Sequence, residues 1–333
     1  MNIKIVGCGL TGITCAVLLK AAGHNVEIFE TRNHIGGNCY DSNVNGVLMH
    51  NYGPHIFHTN DEQVWQFLNQ FTTFKDFKYA PIGVTKLGNI PLPYSLSTVA
   101  ALGRELSSDE IIDVIYKDYS EKQWGVPFDE ISKTIISRVP VLKDVESPSW
   151  FGNDKYQGIP SQGYTHMMNN MLSNIPVHLG VSESEWKFAA ADVTIFTGKV
   201  DAYFGYRHGM LGYRSLEFHH TVSSKRLAHH AYNQCNRDVD HTREYDHSYF
   251  LNQREPMTVI TKEYSVEHDG KNIPFYPIPF GEHQRTYTDT YKEMAKRESN
   301  VVFVGRLATY KYLDMWVAVK QAMQSVEHLI KNV

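Results

Sequence analysis

Three histidines fall within nine residues of the stretch HNYGPHIFHT: His50, His55 and His58. Imidazole can ligate a metal, exchange protons near neutral pH, or wall a polar pocket. A metal would need carboxylates or thiols at ligand spacing close by, and the stretch has no such companions. His229, His230, Cys235 and His241 are dispersed along a segment that reads as strands, and they too are assigned no metal. A second signal is less ambiguous. Gly7, Gly9 and Gly12 in GCGLTG satisfy GxGxxG between an apolar strand and a helix. Gly7 permits the tight turn, Gly9 lets backbone approach a pyrophosphate, and Gly12 allows the helix to pack closely. Leu10 and Thr11, between these glycines, are expected to bind the cofactor as well, and the N-terminus of the following helix offers unpaired N–H groups and a dipole that favour phosphate.

Glu30 closes the next strand, 18 residues beyond Gly12, where an acid holds ribose hydroxyls. The segment ETRNHIGGN then adds a glycine pair, Gly36–Gly37. A nicotinamide enzyme has no use for glycines there, whereas a flavoprotein must let backbone approach a bulky cofactor tail. The pattern therefore points to FAD rather than NAD. With one such fingerprint in the chain, NAD(P)H or a reductase is expected only as a passing electron donor.

These residues need a frame. NIKIVG, a helical GITCAVLLKAAG stopped by Gly23, and NVEIFE form a βαβ unit. Residues 71–96 mix short apolar alternations with turn signals. Residues 97–136 turn helical, with Ser108 expected to cap DEIIDVIYKDY. A helix follows in THMMNNMLSNI, then a buried strand VTIFTG, then extended structure from 209 to 283. VVFVG and DMWVAVKQAMQSVEHLI end the chain as strand and helix. The expected fold is α/β: a Rossmann-like FAD-binding domain built from 1–75, 158–208 and 284–333. A small helical lobe spans 95–138, and an antiparallel β-sheet domain spans 76–94, 139–157 and 209–283.

Composition narrows the function. The 333 residues suffice for a sizeable core. A net charge of −4 gives no electrostatic footprint for nucleic acid. No apolar run reaches the roughly 18 residues of a membrane span. No leader pattern precedes the first strand, and the four cysteines have no CxxC spacing, so a cytoplasmic protein with reduced thiols is expected.

The chain also resembles a family. ETRNHIGGNCYD, YGPHIFHTND, YSEKQWG, ISRVP, YQGIPSQGYT, GYRSL, TREYDHSYF, TKEY, YPI and VVFVGRLATYKYLDM follow, in order, the motifs of bacterial UDP-galactopyranose mutases. The likeness runs from residue 3 to about 330. It implies an isomerase in which reduced FAD, through N5, attacks the anomeric carbon of a UDP-sugar and displaces UDP. The sugar ring then opens and recloses between pyranose and furanose, with no net redox change.

Residue by residue, the resemblance places His55, Ile56 and His58 beside the flavin, His58 among the catalytic groups, and His50 in the structure behind them. Thr31, Arg32, Gly37 and Asn38 line the cofactor tail, and Arg306, Tyr312 and Asp314 surround the flavin. Arg138 and Arg243 occupy the two essential arginine positions, suited to a diphosphate leaving group. Tyr276 and Tyr312 would hydrogen-bond that diphosphate. Tyr119 would contact uracil, and Trp124 would ride a mobile loop near the substrate. Arg214 and Glu263 match further active-site positions. A homodimer is also implied.

Three departures stand out. The helical insertion at 97–136 is shorter than the family's, Trp150 replaces a tyrosine on the diphosphate side, and Lys199 replaces a proline after TIFTG. A bulkier wall at Trp150 makes UDP-arabinopyranose, which lacks the C6 hydroxymethyl, the alternative substrate. An FAD-dependent oxidoreductase on the same fold is the alternative of another class.

Overall fold

The computed structural model describes residues 1–146, 149–152 and 154–331. The portions of the expected domains at 147, 148, 153, 332 and 333 lie outside the described residues. The N-terminal unit builds as the sequence predicts. Strand Asn2–Val6 is buried at four successive positions, as suits a parallel strand covered on both faces. It pairs in parallel with Asn25–Phe29 on one side and Val193–Phe196 on the other. Val177–His178 and Val301–Phe303 complete a five-stranded parallel sheet. Helix Leu10–Ala21 and the terminal helix Met315–Lys331 pack against each other, and Ile5, Ile13, Leu19, Ile28, Val319 and Val326 belong to one buried core.

A seven-stranded sheet forms the second body. Its order is Pro274–Pro277, Tyr213–Ser223, Thr258–Glu267, Arg243–Asp246, Ala231–Gln234, Ile82–Thr85, Gly88–Pro91. Two details differ from expectation. Ala231–Gln234 and Ile82–Thr85 pair in parallel, so the sheet is not wholly antiparallel; these strands lie far apart in sequence and no hairpin dictates their direction. The described residues of 139–157 give this sheet no strand. Val141–Leu142 pairs with Tyr94–Ser95 instead, and Tyr156–Pro160 joins Phe57–Thr59 and Phe74–Asp76 in a three-stranded sheet.

The helical lobe comprises Leu96–Leu102, Ser108–Ile111, a π-helical turn Ile112–Tyr116, Lys117–Trp124 and Lys133–Ile136. Its cap is Ser107, one residue before the expected Ser108. Ser107 Oγ accepts from the Glu110 N–H, and Glu110 accepts from the Ser107 N–H at 2.8 Å. This reciprocal box requires an acid three residues on, which Ser107 has and Ser108 lacks. The lobe buries Ile111, Val114, Ile115 and Tyr116 against Ile90, Leu92 and Tyr94 beside the large sheet.

Candidate active site

The dinucleotide half is shaped by close backbone approach. Gly7 adopts φ +106°, and a Cβ on Gly12 would lie 2.0 Å from the Gly7 carbonyl oxygen. A Cβ on Gly37 would come within 2.9 Å of Gly9 Cα, so the second glycine pair closes directly on the first turn. Gly9 caps helix Leu10–Ala21 without a side-chain bond, and no acid occupies its first turn. The N–H groups at Leu10 and Thr11 thus face a glycine-lined cradle fit for phosphate.

Glu30 is buried, accepting from the Cys8 N–H at 2.7 Å and the Arg32 N–H at 2.9 Å, with the Thr31 hydroxyl at 3.3 Å. Arg32 donates to Asn38 Oδ1 at 2.8 Å and lies 4.9 Å over the Tyr52 ring. Its Nη1 is buried and without a partner among the described residues. A buried guanidinium nitrogen left unpaired is costly, and an anionic cofactor tail would satisfy it. These residues fit FAD.

A cleft of about 630 Å³ opens where the three bodies meet. Each supplies one wall. His55, Ile56 and His58 come from the segment entering strand Phe57–Thr59. Arg243 and Tyr276 come from the large sheet, and Tyr119 and Trp124 from helix Lys117–Trp124. Arg306, Tyr312 and Asp314 come from the junction between the last strand and last helix, and Arg138 and Trp150 from the return of the lobe. Tyr116, Tyr119, Ser120 and Gln123 share the helix face that lines the cleft, as a period of 3.6 requires.

The two arginines are held differently. Arg243 and Glu263 sit opposite each other on neighbouring antiparallel strands. Arg243 Nε donates to Oε1 at 2.9 Å, and Nη2 reaches Oε1 and Oε2 at 2.7 and 2.8 Å. Burial opposes the Arg243 charge, and Glu263 beneath it more than reverses that, so its pKa lies well above the ordinary arginine value. Arg138 pairs with Asp314 where both side chains are about a third exposed, and its guanidinium lies 4.5 Å over the Tyr312 ring. Arg306 donates to the Phe275 and Leu313 carbonyls and flanks the Tyr276 ring at 5.3 Å. Burial pushes the phenols of Tyr119 and Tyr276 up, keeping both as neutral donors.

The three histidines divide by partner. His50 is buried, accepts from the His55 N–H at Nδ1 and stacks on Phe250; burial holds its pKa down to about 3. His55 bonds the Gly53 carbonyl through Nδ1 at 2.7 Å, and burial lowers it to about 4. His58 alone faces a carboxylate: its Nδ1 lies 2.7 Å from Asp154 Oδ2. Among the described residues, no three His, Cys, Asp or Glu side chains converge on a metal-sized site. The four cysteines are free and buried, each thiol pushed up to about 12 by burial.

Two named residues stand behind the cleft rather than on it. Glu263 has no exposed side-chain surface and acts through Arg243. Arg214 donates through Nε to the Gln123 carbonyl at 2.9 Å, reaches the Lys122 carbonyl through Nη2, and thereby clamps the C-terminal end of helix Lys117–Trp124. A cation at a helix C-terminus is favoured by the dipole. Lys122 reinforces it by donating to the Val239 and His241 carbonyls at 3.1 Å. Trp124 is therefore tied to the sheet and packs among Tyr276, Phe280 and Tyr312. Lys199 lies elsewhere, its Nζ 3.1 Å from His268 Nε2. Sequence reasoning passed over Asp154, Phe151, Tyr79 and Asn233, which line the cleft. No local pattern marks them: Asn233 lies on a strand of the large sheet and the other three lie in loops, so the chain's course through space, not spacing, brings them to the cleft.

A parallel sheet with a glycine cradle and an acid-ended second strand, joined to a cleft bearing paired arginines, defines an FAD-dependent enzyme of the Rossmann-like class. The sequence model of the family described as UDP-galactopyranose mutase matches residues 114–312, and that of the NAD(P)-binding Rossmann-like domain matches residues 5–71. A dTDP-fucopyranose mutase of Escherichia coli is 31% identical over 375 residues, covering 99% of each chain. A probable UDP-galactopyranose mutase of Klebsiella pneumoniae is 33% identical over 374 residues, covering 100% of this chain and 95% of the relative. A crystal structure of reduced UDP-galactopyranose mutase superposes with a TM-score of 0.79 over 100% of this chain and 94% of the other, at 14% identity, a likeness of fold. The chain belongs to the UDP-galactopyranose mutase family, and it is an isomerase with FAD as its cofactor.

Proposed function

We propose that the protein interconverts the pyranose and furanose forms of a UDP-sugar, UDP-galactopyranose before others. The observation that carries this reading is the convergence of Arg138 and Arg243 on one cleft with the His55–His58 segment. A nucleoside diphosphate leaving group gains negative charge as its bond to the sugar breaks, so donors aimed at that charge lower the barrier. Arg243, with Nε and Nη2 committed to Glu263, has Nη1 left for a phosphate oxygen. Arg138 is held by Asp314 at a half-open site, and exchanging that carboxylate for phosphate costs little, since an exposed pair contributes only about 0–1 kcal/mol. Tyr276 and Tyr312, with ring centroids 5.2 Å apart, offer hydroxyls on the same wall. Trp124 and Trp150 exclude water from a sugar that has lost its nucleotide. Bound, reduced FAD supplies the nucleophilic electron pair at the anomeric carbon.

Trp150 favours a second reading of the same chemistry. Its indole lines the cleft, and its backbone N–H is fixed to the Tyr79 carbonyl at 2.6 Å. A wall this bulky suits UDP-arabinopyranose. The name of the Escherichia coli relative adds a thymidine nucleotide and a 6-deoxy sugar to the comparison. Purified protein would be assayed with UDP-galactopyranose, UDP-arabinopyranose and dTDP-fucopyranose, each with and without dithionite, following ring form by chromatography. Interconversion only with reductant is expected, fastest for the galactose nucleotide. No turnover of any of the three by FAD-loaded, reducible protein would overturn the reading and leave an oxidoreductase in its place.

A further inference from the structure

Of His50, His55 and His58, only His58 is partnered by a carboxylate. It lies on strand Phe57–Thr59, directly opposite Gln157 in the antiparallel register with Tyr156–Pro160. That pairing brings the loop before the second strand under the imidazole. His58 Nδ1 is 2.7 Å from Asp154 Oδ2, and the ring lies flat on Phe151, centroids 3.8 Å apart and planes 8° apart. Asp154 is itself held: Oδ1 accepts from Asn60 Nδ2 at 2.6 Å, and Asn60 Oδ1 accepts from the Lys155 N–H at 2.8 Å. Asp154, Phe151, Asn60 and the Lys155 backbone thus fix the angle of one imidazole.

A carboxylate at Nδ1 keeps a proton there and directs the ring's exchangeable site to Nε2. Among the described residues, Nε2 takes no hydrogen-bond partner, and the ring lines the cleft beside His55 and Ile56, on the wall assigned to the flavin. A simple lock between loop and strand would need the ion pair but not the stacked, oriented ring with its second nitrogen unclaimed.

We propose that His58 carries the proton between sugar oxygens when the ring changes size, and that Asp154, steadied by Asn60, is its positioning residue. The proposal rests on the mutase reading and deepens it. Changing a hexopyranose to a furanose breaks the C1–O5 bond and makes a C1–O4 bond. When C1–O5 breaks, its electron pair stays on O5, which takes a proton from Nε2 of the imidazolium. The O4 lone pair then closes on the electron-poor C1, and the O4 proton returns to Nε2. His58 ends as it began, an imidazolium against the Asp154 carboxylate, and no proton or electron is gained or lost.

The other charged or titratable groups nearest this wall are His55, Arg138, Arg243, Arg306 and Asp314. Burial holds His55 at about 4, which leaves it no proton to give, and the arginines stay charged.

The test uses full-length, FAD-loaded, dithionite-reduced protein with whichever sugar nucleotide the wild type turns over fastest. Asp154→Asn is expected to lower kcat about 10–100-fold, with KM changed less than about twofold, and to alter the pH–rate profile. His58→Ala should lower kcat at least as far, and adding Asp154→Asn to it should do nothing more. Nitrogen-15 shifts of His58, recorded at a pH where its ring is neutral, should show the Nδ1–H tautomer in the wild type and a mixture in Asp154→Asn. Asp154→Ala serves as the second variant, with Asp154→Asn retained should alanine fail to fold. Unchanged kcat and pH profile in Asp154→Asn, or additive losses in the double variant, would overturn the proposal. Absence of turnover in the wild type would instead overturn the mutase reading and the proton-carrying role with it, and the tautomer measurement would then decide the positioning role alone.

Discussion

Arg243 and Arg138 serve one cleft from opposite sides, but the protein holds them by opposite means. Arg243 rests on Glu263, a carboxylate with no exposed side-chain surface, through three hydrogen bonds set by strand register. Arg138 sits at the end of the lobe with its partner Asp314 about a third exposed. A buried pair cannot dissociate without leaving an uncompensated charge, whereas an open one exchanges its partner for solvent or ligand at little cost. On the proposed reading, the sheet side would be a preformed anion platform, and the lobe side a clasp that must let go of one carboxylate to take a phosphate.

The largest effect should come from breaking the platform. Glu263→Gln strands the Arg243 charge in the interior and is expected to cost about 3–5 kcal/mol of folding stability, read from urea unfolding. Asp314→Ala should change stability by less than about 1 kcal/mol in the same experiment. Equal losses at both sites would erase the distinction.

Activity sharpens it from the other side. Arg138→Ala and Arg243→Ala should each lower kcat/KM by about 10²–10³-fold, the loss of one preorganised donor at a developing charge. Bound FAD should be unchanged in both, as measured by flavin absorbance after gel filtration, since Arg32 and the glycine cradle would hold the cofactor tail on the proposed reading. Loss of flavin from either variant would place that arginine in the cofactor site.

Acid should act on stability through the buried imidazoles. Burial lowers His50 to about 3 and His55 to about 4, below the 6.5 of an unfolded histidine. The unfolded chain therefore binds protons first. The stability these neutral rings contribute is full above pH 6.5 and falls as pH drops from there toward about 4 for His55 and about 3 for His50. Urea midpoints at about pH 7, 6 and 5 should decline, and His50→Gln should flatten that slope. A slope unchanged in His50→Gln would remove His50 from the acid response.

The smallest expected change is at the lobe's cap. Ser107→Ala removes one half of the Ser107–Glu110 box and should cost about 1 kcal/mol. Ser108→Ala should cost less, because Ser108 makes no cap. A larger loss at Ser108 would contradict the cap as placed.

Much of the dinucleotide half was legible because its signals are local. The glycines at 7, 9 and 12, the acid at 30 and the Gly36–Gly37 pair announce turns and close approaches that depend on neighbours a few residues away. The cap slipped by one residue because DEIIDVIYKDY is preceded by serines at both 107 and 108, and only the reciprocal bond to Glu110 distinguishes them. The direction of pairing between Ala231–Gln234 and Ile82–Thr85 could not be read, since about 150 residues intervene.

The charge pairs are where local reading ended. Arg214 looked like a cleft residue from its motif and proved to be a clamp on a helix end, while Asp154 carried no motif and proved to be the partner of His58. By itself the sequence determined the βαβ cradle, the cofactor class and the residue types able to meet a diphosphate, because periodicity, glycine conformation and charge are properties of short segments. Only the tertiary structure decided which carboxylate each cation and imidazole would face. Those pairings join residues 20 to 176 positions apart, and strand register and burial, not spacing, set which of them are locked and which can open.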